Sequence, residues 1–184
     1  IDIGREYKGT IPNTAFMNKR YGRFGWSKGS LLNFCIGQGE ILVTPIQVFN
    51  YVNLLATKGN SNSPHLVSST KKGSENEIPL SAQIWDRIIF DMGQVVSHAK
   101  GTGKNADPAI QGAKIYGKTG TAENPHGEDH AWFIGWVEYE KKKFSIVVLL
   151  ENSGSGGAVA APLAKNVFDK IILGIDNSKQ ISMK

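Results

Sequence analysis

Cysteine is nearly absent from this chain, with Cys35 the only one in 184 residues. A disulfide framework and a thiolate metal cluster are both excluded, and cysteine usage leaves the compartment open. Flanked by Phe34 and Ile36, Cys35 is expected to be a small buried apolar residue rather than a reactive thiol. Long hydrophobic runs are missing too. The longest, Ile146 to Leu150, falls well below the roughly 20 residues needed to span a bilayer. There is no internal repeat, and only the Ser/Asn/Lys-rich stretch 60–77 approaches low complexity. The chain opens on IDIGREYKGT, without an initiator Met or a charged leader, and is expected to be a piece of something longer.

The charge is only mildly one-sided. A formal net charge of +5 comes from basic residues spread along the chain, apart from Lys141-Lys142-Lys143. No aromatic residues interleave with a basic stripe, so that cluster reads as a solvated hairpin turn and nucleic-acid binding is not expected. Hydrophobic residues at 40% and charged residues at 20% are ordinary for a globular chain.

What is present is periodic. Residues 1–34 show no clear period and are expected to form loops with short turns. Thr44, Pro45 and Gln47 then make a capping box with proline at the first helical position. Ile46, Phe49, Val52 and Leu55 follow at helical spacing, which predicts a helix over 45–58 with Gly59 as its left-handed stop. Asn60 to Pro79 is polar and turn-rich. Leu80, Ile84, Trp85, Ile88, Ile89, Met92 and Val95-Val96 predict a second helix over 80–98. A loop, AKGTGKNADPA, comes next, and Lys100 to Lys104 within it is expected to be mobile.

The period then changes to two. KIYGKTGT, AWFIGWVEY and FSIVVLLE have strand length and composition, with Glu140 to Lys143 as a hairpin turn. After SGSGG, a closing helix is predicted with Leu163, Ala164, Val167, Phe168, Ile171 and Ile172 on one face, Pro162 near its start and Gly174 past its end. Residues 175–184 are expected to be a flexible tail. Helices, then consecutive antiparallel strands, then a covering helix give an α+β fold, an antiparallel sheet packed with helices.

The stretch 112–124, GAKIYGKTGTAEN, carries the chemistry. Its letters satisfy the phosphate-cradling pattern G-x-x-x-x-G-K-[ST], but that pattern needs a buried strand before its first glycine and a helix at its lysine. Here Asp107-Pro108 precedes it, Gly120, Pro125 and Gly127 follow it, and Ile115 and Tyr116 are strand formers. Likewise IVVLLE, ending on Glu151, resembles a magnesium-binding strand, yet its short connection makes it antiparallel. A nucleotide is therefore not expected as partner.

Read as a strand, the same segment puts Thr119 and Thr121 on one side and Lys118 on the other, while Gly120 leaves the backbone approachable. Two hydroxyls, one ammonium and a free N–H can bind a carboxylate and stabilise an oxyanion. His126 and His130 do not form a metal pair, because Pro125 and Gly127 make their segment a loop. His130 is expected to orient the strand after it. Trp132, Phe133 and Trp136 are expected as strand aromatics and Glu123 as a solvated acid.

Gly37-Gln38-Gly39 followed by VTPIQ, then PHLV, KTGTAE, HAWFIGW and LLENSGSGG occur in an order that resembles the C-terminal half of the transpeptidase domain of class B penicillin-binding proteins, elongation-type D,D-transpeptidases in particular. The similarity runs over residues 1–173. It implies a penicillin-binding protein/serine β-lactamase-like fold, with Lys118-Thr119-Gly120 on the strand that edges the cleft. Thr119 and Thr121, beside Gly120, would bind the substrate carboxylate, Thr121 N–H would form half of an oxyanion hole, and Lys118 would sustain the proton network. Gly37, Gln38 and Gly39 would support the cleft from behind.

The implied partners are peptidoglycan stem peptides, β-lactam antibiotics and wall-synthesis proteins of cell elongation, with no cofactor and no metal. The implied location is the outer face of the bacterial membrane, through an N-terminal anchor outside this chain. The resemblance also requires a serine nucleophile in S-x-x-K and a second S-x-N or S-x-D block. Ser68-Ser69-Thr70-Lys71 and Ser74-Glu75-Asn76 match the letters but sit side by side in a polar loop, so neither is taken as the site. The expected nucleophile lies outside this chain, which alone would be inactive. The alternative is a transpeptidase-like module without a nucleophile that senses β-lactams or serves assembly. A serine β-lactamase is disfavoured by the GQGEILVTPIQ block.

Overall fold

The computed structural model describes residues 4–67 and 75–182. Its centre is a three-stranded antiparallel sheet of consecutive strands, β3-β4-β5, as the change to period two requires. The strands are β3 (Lys114–Ala122), β4 (His130–Tyr139) and β5 (Lys142–Leu150). Glu140 and Lys141 both take positive φ, 50° and 63°, which makes a two-residue turn whose twist suits the strand pair. The turn is tighter than expected, because Lys142 and Lys143 already belong to β5.

Alternation gives the sheet two different faces. On one face Ile115, Ala131, Phe133, Val137 and Val148 pack with Ala160, Ala164, Phe168 and Ile172 of the closing segment. That segment is a π turn, Gly156–Ala160, running into α5 (Ala161–Ser182). On the other face Trp136 packs with Val52, Leu55 and Ala56 of α3 (Pro45–Ala56) and with Trp85 and Met92 of α4 (Ala82–Ser97). Val96 of α4 joins the first cluster, so α4 passes beside β3 rather than lying on one face.

The capping box of α3 is complete, with Thr44 accepting from Gln47 N and Gln47 accepting from Thr44 N. The helix stops at Ala56, two residues before the expected end, as Lys58 and Gly59 turn to positive φ. Ser81 caps α4 by accepting from Ile84 N.

Several expectations are corrected. Residues 1–34 contain two helices, α1 (Thr14–Tyr21) and α2 (Lys28–Cys35), each opened by a side-chain cap: Asn13 accepts from Phe16 N and Ser27 from Gly29 N. Cys35 is exposed, because α2 buries none of its residues. The polar 60–79 stretch includes two three-residue strands, β1 (Asn60–Asn62) and β2 (Glu75–Glu77), paired antiparallel. Gly174 does not end α5, since Ile172 and Ile175 on either side of it are buried and carry the helix on. Leu163 and Val167 face outward at 40% and 38% exposure; the buried stripe is Ala164, Phe168 and Ile172. No helix among the described residues is long and apolar enough to cross a membrane.

Candidate active site

The second half of β3 carries the residues singled out in the sequence. Lys118 pairs with Ile134 in the register, Thr119 with Phe133 and Thr121 with Ala131. Thr119 and Thr121 thus lie on the α5 face, and Lys118 and Gly120 on the other, as period two requires. Each threonine hydroxyl has a partner behind it. Thr119 Oγ1 lies 2.8 Å from Thr102 Oγ1, and Thr121 Oγ1 accepts from Gly156 N at 3.4 Å. Lys118 Nζ donates to Thr119 O at 2.7 Å.

Gly156 owes its place to its missing side chain. A Cβ there would stand 2.1 Å from Trp132 O and 2.4 Å from Gly120 O, so only glycine lets the π turn rest on the sheet beside Thr121.

Gln38 is the residue whose role the sequence left vague. Its Nε2 donates to Thr121 O at 2.9 Å, while its Oε1 accepts from Glu123 N at 3.3 Å. One side-chain amide therefore pairs with the strand as a neighbouring peptide group would. In an antiparallel ladder the N–H and C=O of one residue point to the same side, so Thr121 N–H also points away from β4, into the open. Gly37 and Gly39 flank Gln38 with φ of 78° and 77°, the left-handed geometry glycine adopts without penalty. Within this turn it is Gln38 that bonds β3, through Thr121 O. The turn itself is held farther back, where Thr10 and Leu42 exchange backbone bonds of 2.7 and 3.0 Å and Gln47 Nε2 donates to Lys8 O.

Between this turn and the sheet opens a cleft of about 560 Å³. Ile36, Ile41, Leu42 and Val48 line one wall, and Lys118, Gly120, Trp132 and Ile134 the other. Among the described residues no serine lines the cleft, and Ser68 to Ser74 lie outside the described residues.

The remaining expectations divide. Phe133 and Trp136 are fully buried, whereas Trp132 faces the cleft. His130 Nδ1 accepts from Asn152 N at 3.0 Å, tying the start of β4 to the end of β5. No group of three metal-ligating side chains occurs among the described residues. Glu123 is exposed. The Lys100 to Lys104 loop is not loose: Gly101 N bonds His98 O at 2.8 Å, Gly103 N bonds Val95 O at 2.9 Å, and a 3-10 turn follows at Lys104–Ala106. Sequence reasoning passed over Thr102 and Gly156, whose contacts join distant segments and leave no local pattern.

The family model of the penicillin binding protein transpeptidase domain matches residues 7–169. The peptidoglycan D,D-transpeptidase MrdA of Haemophilus influenzae is 34% identical over 194 residues, covering 92% of this chain and 30% of that protein. Among solved structures, Pseudomonas aeruginosa PBP2 in complex with WCK 5153 superposes with a TM-score of 0.75 at 33% identity, over 88% of this chain and 36% of that one. A complex of PBP2 with MreC from Helicobacter pylori gives 0.72 at 28% identity, over 90% and 32%. The chain spans about a third of the length of these relatives.

Proposed function

The chain belongs to the penicillin-binding protein transpeptidase family, and we propose that it supplies the carboxylate-binding and oxyanion side of a peptidoglycan D,D-transpeptidase. The observation that carries this reading is the end of β3: two hydroxyls on one side, an ammonium on the other, and a Thr121 backbone clamped by Gln38 so that its N–H faces outward. In this reading Thr119 and Thr121, with Gly120 between them, take the terminal carboxylate of a stem peptide. Thr121 N–H donates to the oxygen that becomes negative when a serine attacks the acyl carbonyl. Lys118 stabilises that charge and the proton network around it.

The serine Oγ–carbonyl bond forms as the C–N bond to the leaving D-amino acid breaks, and the departing amine takes up a proton. The amine of a neighbouring stem peptide then attacks the ester and frees the serine. A β-lactam follows the first step with its ring C–N bond as the one that opens.

The serine in this reading comes from a Ser-x-x-Lys segment outside these residues, as the family resemblance implies. The same reading puts the full-length protein on the outer face of the membrane, held by an N-terminal anchor, among wall-synthesis partners.

Labelling with a fluorescent penicillin tests it. The full-length protein is expected to form a covalent adduct, Lys118→Ala to form it roughly a hundredfold more slowly, and the 184 residues alone to form none. No adduct on the full-length protein would reject the enzyme reading in favour of a sensing or assembly module. An adduct at Ser68 or Ser69 of the short chain would relocate the nucleophile.

A further inference from the structure

We propose that Tyr21 is a positioning residue of this site: its hydroxyl latches Glu40, just past the 37–39 turn, and so keeps the Gln38 amide seated on Thr121. The inference rests on the transpeptidase reading above and concerns the wall of the cleft that faces β3.

The turn that carries Gln38 has little packing of its own. Gly37 and Gly39 take φ of 78° and 77°, and α2, which leads into the turn, buries none of its residues. On the α2 side the backbone is fixed by Gly37 N on Phe34 O and Gln38 N on Asn33 O, at 3.1 and 2.9 Å. On the far side the next backbone anchor is Leu42, bonded to Thr10. Glu40 stands midway between Gln38 and Leu42, and its carboxylate is the group that the Tyr21 hydroxyl holds.

The direction of that contact is fixed at both ends. Arg20 Nε, 3.0 Å from Tyr21 Oη, can only donate, and a carboxylate can only accept. The Tyr21 oxygen therefore accepts from Arg20, and its single proton goes to Glu40 Oε1. A hydrogen bond to a carboxylate is stronger than one between neutral groups.

Tyr21 is itself held in place. It is the last residue of α1, whose Met17 is buried. Gly22 ends that helix with its N–H on Asn18 O, and Gly25 lies so close that a Cβ there would stand 1.9 Å from Tyr21 O. Trp26 Nε1 donates to Asn18 Oδ1 at 2.9 Å, which ties α1 to the segment that enters α2. Thus α1 braces α2 on both flanks, ahead of it through Asn18 and Trp26 and behind it through Tyr21 and Glu40. The second brace lands two residues from Gln38.

Gln38 reaches the chemistry through the backbone of Thr121, whose N–H meets the oxygen that becomes negative. Without the latch, the amide leaves Thr121 O for part of the time. Ligand still enters the cleft, but the oxyanion donor is aimed correctly in fewer complexes, so the loss falls on acylation and not on binding.

The test follows acylation of the full-length protein by a fluorescent penicillin over a range of concentrations. Tyr21→Phe, which removes one hydroxyl and keeps the ring, is expected to lower the maximal acylation rate roughly fivefold with half-saturation unchanged. Glu40→Gln, whose carbonyl still accepts, is expected to stay within about twofold of the parent. The deciding measurement is made in the Gln38→Ala background, where Tyr21→Phe should lower the rate no further. A loss that persists in that background means that Tyr21 supports the protein by another route. An undiminished rate in Tyr21→Phe alone means that the turn holds without the latch, and a loss confined to half-saturation means that the oxyanion donor is not what moved. Each of these three results overturns the inference and leaves the transpeptidase reading standing. A parent protein that forms no adduct overturns that reading and the inference with it.

Discussion

Between residues 4 and 43 the only buried hydrophobic side chain is Met17, whereas β4 alone buries Ala131, Phe133, Trp136 and Val137. The first region is held by bonds: helix caps at Asn13 and Ser27, the Thr10–Leu42 bridge, and the Gln38 amide on β3. The second is held by volume, with Phe133 and Phe168 on one face of the sheet and Trp136 on the other. The two regions meet at the cleft. One wall is therefore fixed by the core, and the other is attached by individual hydrogen bonds, each worth about 1 kcal/mol net. A site divided in this way can have its rigid donors in place while the opposite wall adjusts to a ligand.

The contrast can be broken most severely from the core side. Phe133→Ala leaves a cavity in the larger cluster and is expected to lower unfolding stability by about 3–5 kcal/mol, read from the midpoint of urea denaturation. A loss near 1 kcal/mol would show that the sheet is no better packed than the N-terminal region.

Gln38→Ala attacks the other wall. Its stability cost is expected to be about 1 kcal/mol, while β-lactam acylation of the full-length protein should fall roughly tenfold, as Thr121 loses its clamp. Equal activity in the variant would remove Gln38 from the account of the cleft.

The smallest effect sharpens the core side. Tyr116 stacks on Trp136 with ring centroids 4.9 Å apart, and burial, followed by the Glu138 charge, pushes its hydroxyl above the ordinary value of 10.0. The folded state thus holds this proton more tightly than the unfolded one. Its contribution is complete below pH 10 and is lost as pH rises through the raised native value. Denaturation midpoints between about pH 9 and 11 should fall more steeply in the parent than in Tyr116→Phe.

Much of the core was legible before any coordinates. The capping box at Thr44 and Gln47, the stripe of α4 and the three strands rest on local patterns that packing then reinforced. The helices α1 and α2 escaped because each is eight residues long and the two together bury only Met17, leaving periodicity little to report. Gly174 misled because buried neighbours on both sides outweigh the cost of a glycine in mid-helix, about 1 kcal/mol. At the site, Lys118, Thr119 and Thr121 were readable as a strand motif with a defined side for each residue. The partners that aim them were not: Gln38 reaches Thr121 across 83 positions and Thr102 reaches Thr119 across 17, and no local pattern encodes such pairings.

The Gln38 amide has a consequence for how copies of this protein avoid one another. An uncovered outer strand is a template on which a second chain can add, and then a third. Along β3, α4 packs against the first half, and on the second half Lys118 Nζ caps Thr119 O while Gln38 occupies Thr121 O and Glu123 N. What stays uncovered is a gap one or two residues long. That gap is too short for another β3 to pair along its length, which keeps this edge from growing into a shared sheet.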